Sequence, residues 1–113
     1  MLLSENARRY SQANIETANQ ATIISLLHHK CVQLIRLSLE NPSPIRKRLD
    51  AAQNILVQFE HSLNAQNDLA KNFFLVYDYC YCQLETNLAD SHRTALSLLI
   101  KIRDAFDARL GLK

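Results

Sequence analysis

The sequence predicts an all-α protein: an antiparallel up-down four-helix bundle with an additional short N-terminal segment or helix. Three observations carry that expectation. The chain holds one glycine, Gly111 near its end, and two prolines, Pro42 and Pro44, so the glycine-bearing turns of β-hairpins and phosphate loops have no raw material. Apolar residues recur at spacings of three, four and seven in four stretches of about twenty residues. The breaks between those stretches are short and polar, as between antiparallel helices. At 113 residues and 13.0 kDa, the chain is long enough to bury a core without disulfides or metals, and 1–113 reads as a single helical-bundle domain.

Residues 1–18 precede the first long helix as a candidate N-terminal strap. Leu2, Leu3, Tyr10 and Ile15 are too sparse for a long amphipathic helix, and the segment is either a frayed terminus or a strap lying over apolar surface made by later helices. Asn19 then serves as an N-cap, and the first long helix runs over about 20–40 without a breaker. Its apolar residues, from Ile23, Ile24, Leu26 and Leu27 through Cys31, Val32, Leu34, Ile35, Leu37 and Leu39, cover roughly 240° of the wheel. Ser25, His29, Gln33, Arg36 and Glu40 fill the remainder.

Asn41, Pro42, Ser43 and Pro44 stop this helix, and Pro44 with Ser43 as cap starts the next, over about 44–63. Its stripe is narrow: Ile45, Leu49, Ala52, Leu56, Phe59 and Leu63, flanked by Ile55, with Arg46, Lys47, Asp50, Asn54, Gln58 and His61 facing away. Asn67 or Asp68 caps the third helix, over about 68–87. Leu69, Phe73, Val76, Tyr77, Cys80, Leu84 and Leu88 make one face of it, while Leu75, Tyr79 and Cys82 recur on another. Asn87 to Ser91 makes the last connection. The fourth helix, over about 91–110, again has one stripe, Ala95, Leu98, Leu99, Ile102, Phe106 and Leu110, with Lys101, Asp104 and Asp107 outside and Gly111 ending it.

Two broad helices beside two narrow ones are the informative feature. Helices of an isolated bundle bury similar arcs. Leaving a large apolar side chain in water forgoes roughly 1.5–3 kcal/mol, against a domain's net stability of ~5–15 kcal/mol. The surplus on the first and third helices therefore calls for cover by a partner chain, a second copy, or the leading segment acting as a displaceable lid. Helices crossing diagonally would absorb part of it instead.

Catalytic and cofactor chemistry finds little footing. Thirteen basic and eleven acidic residues leave a formal charge of +2, too balanced to argue for nucleic acid or an anionic membrane. None of the five glutamates has a histidine three residues on, the spacing that carboxylate-bridged metal bundles use, and no cofactor or metal is expected. His28 and His29 diverge by ~100° on a helix; His28 reads as a packed or rim histidine, and His61 and His92 fall on polar faces. Cys31, Cys80 and Cys82 are an odd count without a disulfide spacing, which fits a reduced, cytoplasmic compartment. On helices such thiols are small hydrophobes rather than nucleophiles. No run approaches the ~20 apolar residues of a membrane span, and the start lacks the order of a secretion signal.

The run Ala70-Lys71-Asn72-Phe73-Phe74-Leu75-Val76-Tyr77-Asp78-Tyr79, followed by Leu84 and Asn87, resembles a helix signature of the FliS family of flagellar export chaperones, approximately Ala-x-Asn-Leu-x-x-Leu-Tyr-Asp-Tyr. Ala51-Ala52-Gln53-Asn54-Ile55-Leu56 with Leu63 is similar to the preceding helix of that family. Tyr10, then Ile15, Thr17 and Ala18, sits where the family carries an N-terminal tyrosine and Val-x-Thr-Ala. The chain departs where the family has Ser-Pro, here Asn19 and Gln20, and where it commonly reads Leu-Tyr-Asp-Gly, here Leu27-His28-His29-Lys30.

The resemblance implies a non-enzymatic cytoplasmic chaperone that binds the disordered C-terminal segment of flagellin in apolar grooves, keeps it from polymerising early and aids its export, with export-apparatus components as further partners. The expected partner-binding residues are Tyr10, Ile15, Ile24, Leu27, His28, Ile35, Leu75, Asp78, Tyr79 and Cys82. Asp78 is either a solvated helix-face charge or a polar contact to the bound peptide. The same apolar surface leaves open a homodimer or another helical interaction module.

Overall fold

The computed structural model describes residues 22–41, 45–63 and 68–110, apart from the side chains of Ile45 and Leu110. Within them lie four helices and no strand: α1 over 22–40, α2 Ile45–Ser62, α3 Asp68–Glu85 and α4 Ala89–Leu110. Tyr10 and Ile15, the caps expected at Asn19, Ser43 and Asn67, and the stop expected at Gly111 lie outside the described residues.

The contacts define the topology. Cys31 reaches the Ala52 carbonyl at 3.6 Å and Arg48 the Leu37 carbonyl at 3.3 Å, so α1 and α2 run antiparallel. Gln53 meets Tyr81 while Arg46 meets Leu84, giving the same sense for α2 and α3. Cys80 faces the Ala95 carbonyl from α3 to α4, and Ser25 and His29 both bond Asp107 from α1 to α4. Every adjacent pair is antiparallel, and α1 and α3 are left as diagonal partners that meet through the centre. This is the expected all-α, up-down bundle.

Its core is built from the predicted stripes. Leu49, Ala52, Leu56 and Phe59 of α2, Tyr77, Cys80 and Leu84 of α3, and Ala95 and Leu99 of α4 are buried, together with Cys31, Val32 and Ile35 of α1. At the centre His28 joins all four helices. Its ring stacks on Phe59 at 4.1 Å and on Phe106 at 5.0 Å, and its Nε2 lies 2.8 Å from the Tyr77 hydroxyl. The Nδ1 is 2.8 Å from the Ile24 carbonyl. A carbonyl only accepts, so Nδ1 carries the proton, and the neutral ring takes the Tyr77 O–H at Nε2.

Several placements differ from the sequence reading. Arg46, expected to face away, bonds Asp50 at 2.7 Å and crosses to the Leu84 carbonyl at 3.1 Å. It also bonds Gln53, whose buried amide donates to the Tyr81 carbonyl at 3.1 Å and to Glu85 at 2.9 Å. Ser25 and Asp107, both read as outward, face each other at 2.7 Å, with Ser25 buried. Leu69 and Leu88, read on the same face as Tyr77 and Leu84, are exposed; Leu69 lies in the first turn of α3 and Leu88 in the connection after it. His92, placed on a polar face, is buried with its Nε2–H on the Thr86 carbonyl at 2.8 Å.

That last contact helps explain why the α3–α4 connection lies two residues earlier than expected. Thr86 Oγ1 donates to the Gln83 carbonyl at 3.0 Å and accepts from Leu88 N at 3.3 Å, closing the end of α3. His92 N then bonds the Leu88 carbonyl at 3.2 Å, placing Leu88 in the N-cap position. Hence α3 stops at Glu85 and α4 begins at Ala89, two residues before the expected start.

Candidate docking surface

Large exposed apolar side chains are not spread evenly. Ile23 and Leu26 lie on α1; Leu69, Phe74, Leu75 and Tyr79 lie on α3; Leu88 lies in the turn after it. Among the described side chains, none lies on α2 or α4. The surplus thus sits on the two helices whose apolar arcs are broad. Diagonal packing through the centre consumes one arc of each and leaves the other facing outward.

On α3 the outward arc forms a ridge. Leu75 is 65% exposed and Tyr79 47%, and Cys82 is exposed one turn further on. Positions i, i+4 and i+7 fall on one face, with ~10.5 Å of helix from first to last. On the α2 side of this ridge, a groove of about 480 Å³ is lined by Glu60, Leu63, Ala70, Lys71, Phe74 and Leu75. Its floor is apolar and its only charged lining residues are Glu60 and Lys71. Burial, reinforced by the carboxylate of Asp78, pushes the Glu60 carboxyl above its ordinary value. On the α4 side, Tyr79 borders a more open recess of about 540 Å³ with Arg93, Thr94, Ser97 and Leu98.

The expected binding residues therefore separate. Leu75, Asp78, Tyr79 and Cys82 are exposed on one helix surface. Ile24 and Leu27 are half-buried against the core. His28 and Ile35 are fully buried and present nothing to a partner in this conformation. For His28 the reason is its polar satisfaction on both ring nitrogens, which lets an imidazole occupy an apolar centre. Phe74, not among the expected residues, contributes to the groove. It follows Phe73 directly, so one of the two had to point outward at helical spacing, and the α2 stripe decides which.

The buried thiols have no evident chemical role. Burial pushes both Cys31 and Cys80 up to about 12, leaving them protonated and poor nucleophiles. Among the described residues no group of three histidine, cysteine, aspartate or glutamate side chains is placed to hold a metal ion, and no described helix is long and apolar enough to cross a membrane.

The fold and this surface define a class: an antiparallel helical bundle that keeps a ridge of large apolar side chains, flanked by grooves, on the outside of one helix. Comparison with known proteins gives the family. The family model for flagellar protein FliS matches residues 3–110, nearly the whole chain, and the chain belongs to that family. It is 32% identical over 80 residues to the flagellar secretion chaperone FliS of Bacillus subtilis (strain 168), a match covering 66% of this chain and 60% of the relative.

Proposed function

We propose that this protein is a cytoplasmic, non-catalytic chaperone of flagellar export whose client is the disordered C-terminal segment of flagellin. The observation that carries the reading is the exposed ridge Leu75–Tyr79 with the apolar groove beside it, in a chain of the FliS family. The name of the Bacillus subtilis relative supports the same role. A segment disordered on its own can fold an amphipathic helix into such a groove, trading its ordering entropy for buried apolar area. Covering a segment that drives assembly blocks assembly, and no bond need be made or broken. Phe74 and Leu75 supply the apolar floor and wall, Tyr79 an apolar ring with a polar tip, and Glu60, Lys71 and Asp78 the charges that set register along the segment.

The test is calorimetric titration with a peptide of the flagellin C-terminal segment from the same organism. Binding with a clearly negative heat-capacity change is expected. Leu75→Asp and Tyr79→Asp are each expected to weaken it at least about tenfold, ~1.4 kcal/mol, while unfolding free energy stays within ~0.5 kcal/mol of the parent, as for exposed positions. Absence of binding well above micromolar protein, or a constant dimer across dilution in light scattering with the ridge buried between copies, would overturn the reading.

A further inference from the structure

A second surface lies around the bundle from the α3 ridge. Between α1 and α4, Leu26, His29, Lys30, Val32, Gln33, Arg36 and Arg103 line a groove of about 380 Å³. It differs in kind from the α2–α3 groove, because its rim is basic. Lys30 and Arg36 are exposed and have no ion-pair partner among the described residues. Arg103 forks onto Asp104 at 3.0–3.1 Å, and His29 is held by Asp107 at 2.7 Å. Leu26, 63% exposed, stands at one end of the row.

We infer that this α1–α4 groove docks an acidic amphipathic helical segment of a partner protein, at a site separate from the one proposed for the export client. Three features select that occupant. Leu26, Lys30, Gln33 and Arg36 fall at i, i+4, i+7 and i+10, so an apolar anchor is followed by an amide and two cations along ~15 Å of helix, the repeat that a second helix reads. The uncompensated charge on the face is positive, from Lys30 and Arg36, and complements spaced carboxylates. Asp104 and Asp107 stand among the cations, so a nucleic acid, with phosphates at close regular intervals, meets repulsion where a peptide can place neutral residues.

The probe is a model helical peptide of about 14 residues, ~21 Å, with leucines on one face and glutamates flanking them. Its controls are the same peptide with lysine for glutamate, and a single-stranded oligonucleotide of similar length. The glutamate peptide is expected to shift backbone amide resonances along 26–36 and around Arg103, and to weaken severalfold as salt rises. Lys30→Glu with Arg36→Glu is expected to reduce its affinity at least tenfold, and the milder Lys30→Gln with Arg36→Gln by less, with helical circular dichroism unchanged in both. The inference is overturned if the lysine peptide binds equally well, if the shifts map to the α2–α3 groove, if the oligonucleotide binds more tightly than the glutamate peptide, or if nothing binds.

Discussion

At the residue scale, His28 shows how a polar side chain holds the centre of an apolar bundle. Both ring nitrogens are bonded, one to Ile24 and one to Tyr77, while both faces are covered by Phe59 and Phe106. Tyr77→Phe removes the donor to Nε2 and leaves a buried acceptor unpaired, so urea unfolding should show a loss of about 1–3 kcal/mol; an unchanged midpoint would mean the bond contributes nothing net. Burial, the largest influence, holds the His28 pKa below its ordinary 6.5, with His29 acting the same way and the Ile24 carbonyl and Asp107 opposing. The unfolded chain then binds more protons just below pH 6.5. This contribution to stability is complete above about 6.5 and is lost as pH falls from there towards the folded-state pKa. His28→Phe should flatten that part of the stability profile relative to the parent; parallel profiles would contradict the assignment. No residue pattern pointed to this arrangement. Helical spacing placed His28 near the apolar arc of α1, but its partners come from three other helices.

At the element scale, periodicity was enough for helix number, order and face on α2 and α4, because each has one neighbouring core and one stripe. It failed where a polar group crosses a helix junction. Gln53 lies beside the α2 stripe yet is buried, since Arg46, Tyr81 and Glu85 satisfy its amide. Such satisfaction depends on the α2–α3 register, which no single helix encodes. Gln53→Ala strands those partners and should cost about 1–3 kcal/mol in thermal or urea unfolding, whereas Gln58→Ala, an exposed position on the same helix, should stay within ~0.5 kcal/mol. Equal effects would show that the network carries no weight. The end of α3 was misjudged for a similar reason. The Thr86 and His92 contacts that close it are local, but an apolar Leu88 in the N-cap position gives no capping signal.

At the scale of the whole molecule, packing is polarised along the bundle. Fully buried apolar residues such as Ile35, Leu49, Leu84 and Leu99 gather where α1 and α3 end. Towards the opposite end Ile24, Leu27, Leu63, Phe73, Ile102 and Phe106 are half-buried, and Ile23, Leu26, Leu69, Phe74 and Leu75 are exposed. Most of the spare apolar surface thus lies towards that second end, Tyr79 and Leu88 excepted. A carboxylate in the tight end has no water to meet, so Leu99→Asp should cost several kcal/mol and unfold the chain, in contrast to Leu75→Asp, which should leave the circular dichroism melt intact. Loss of fold in both would mean that the ridge is core. The two broad arcs in the sequence predicted surplus surface on α1 and α3. Their division between centre and exterior was not legible, because it depends on α1 and α3 being diagonal rather than adjacent.

Amide hydrogen exchange with and without the flagellin C-terminal peptide tests whether that peptide docks on α3. Slowed exchange is expected over residues 70–82, where α3 carries the ridge and one wall of the groove, with little change over 46–52, at the end of α2 away from the groove. Protection absent from α3, or spread uniformly over the bundle, would contradict a docking surface there.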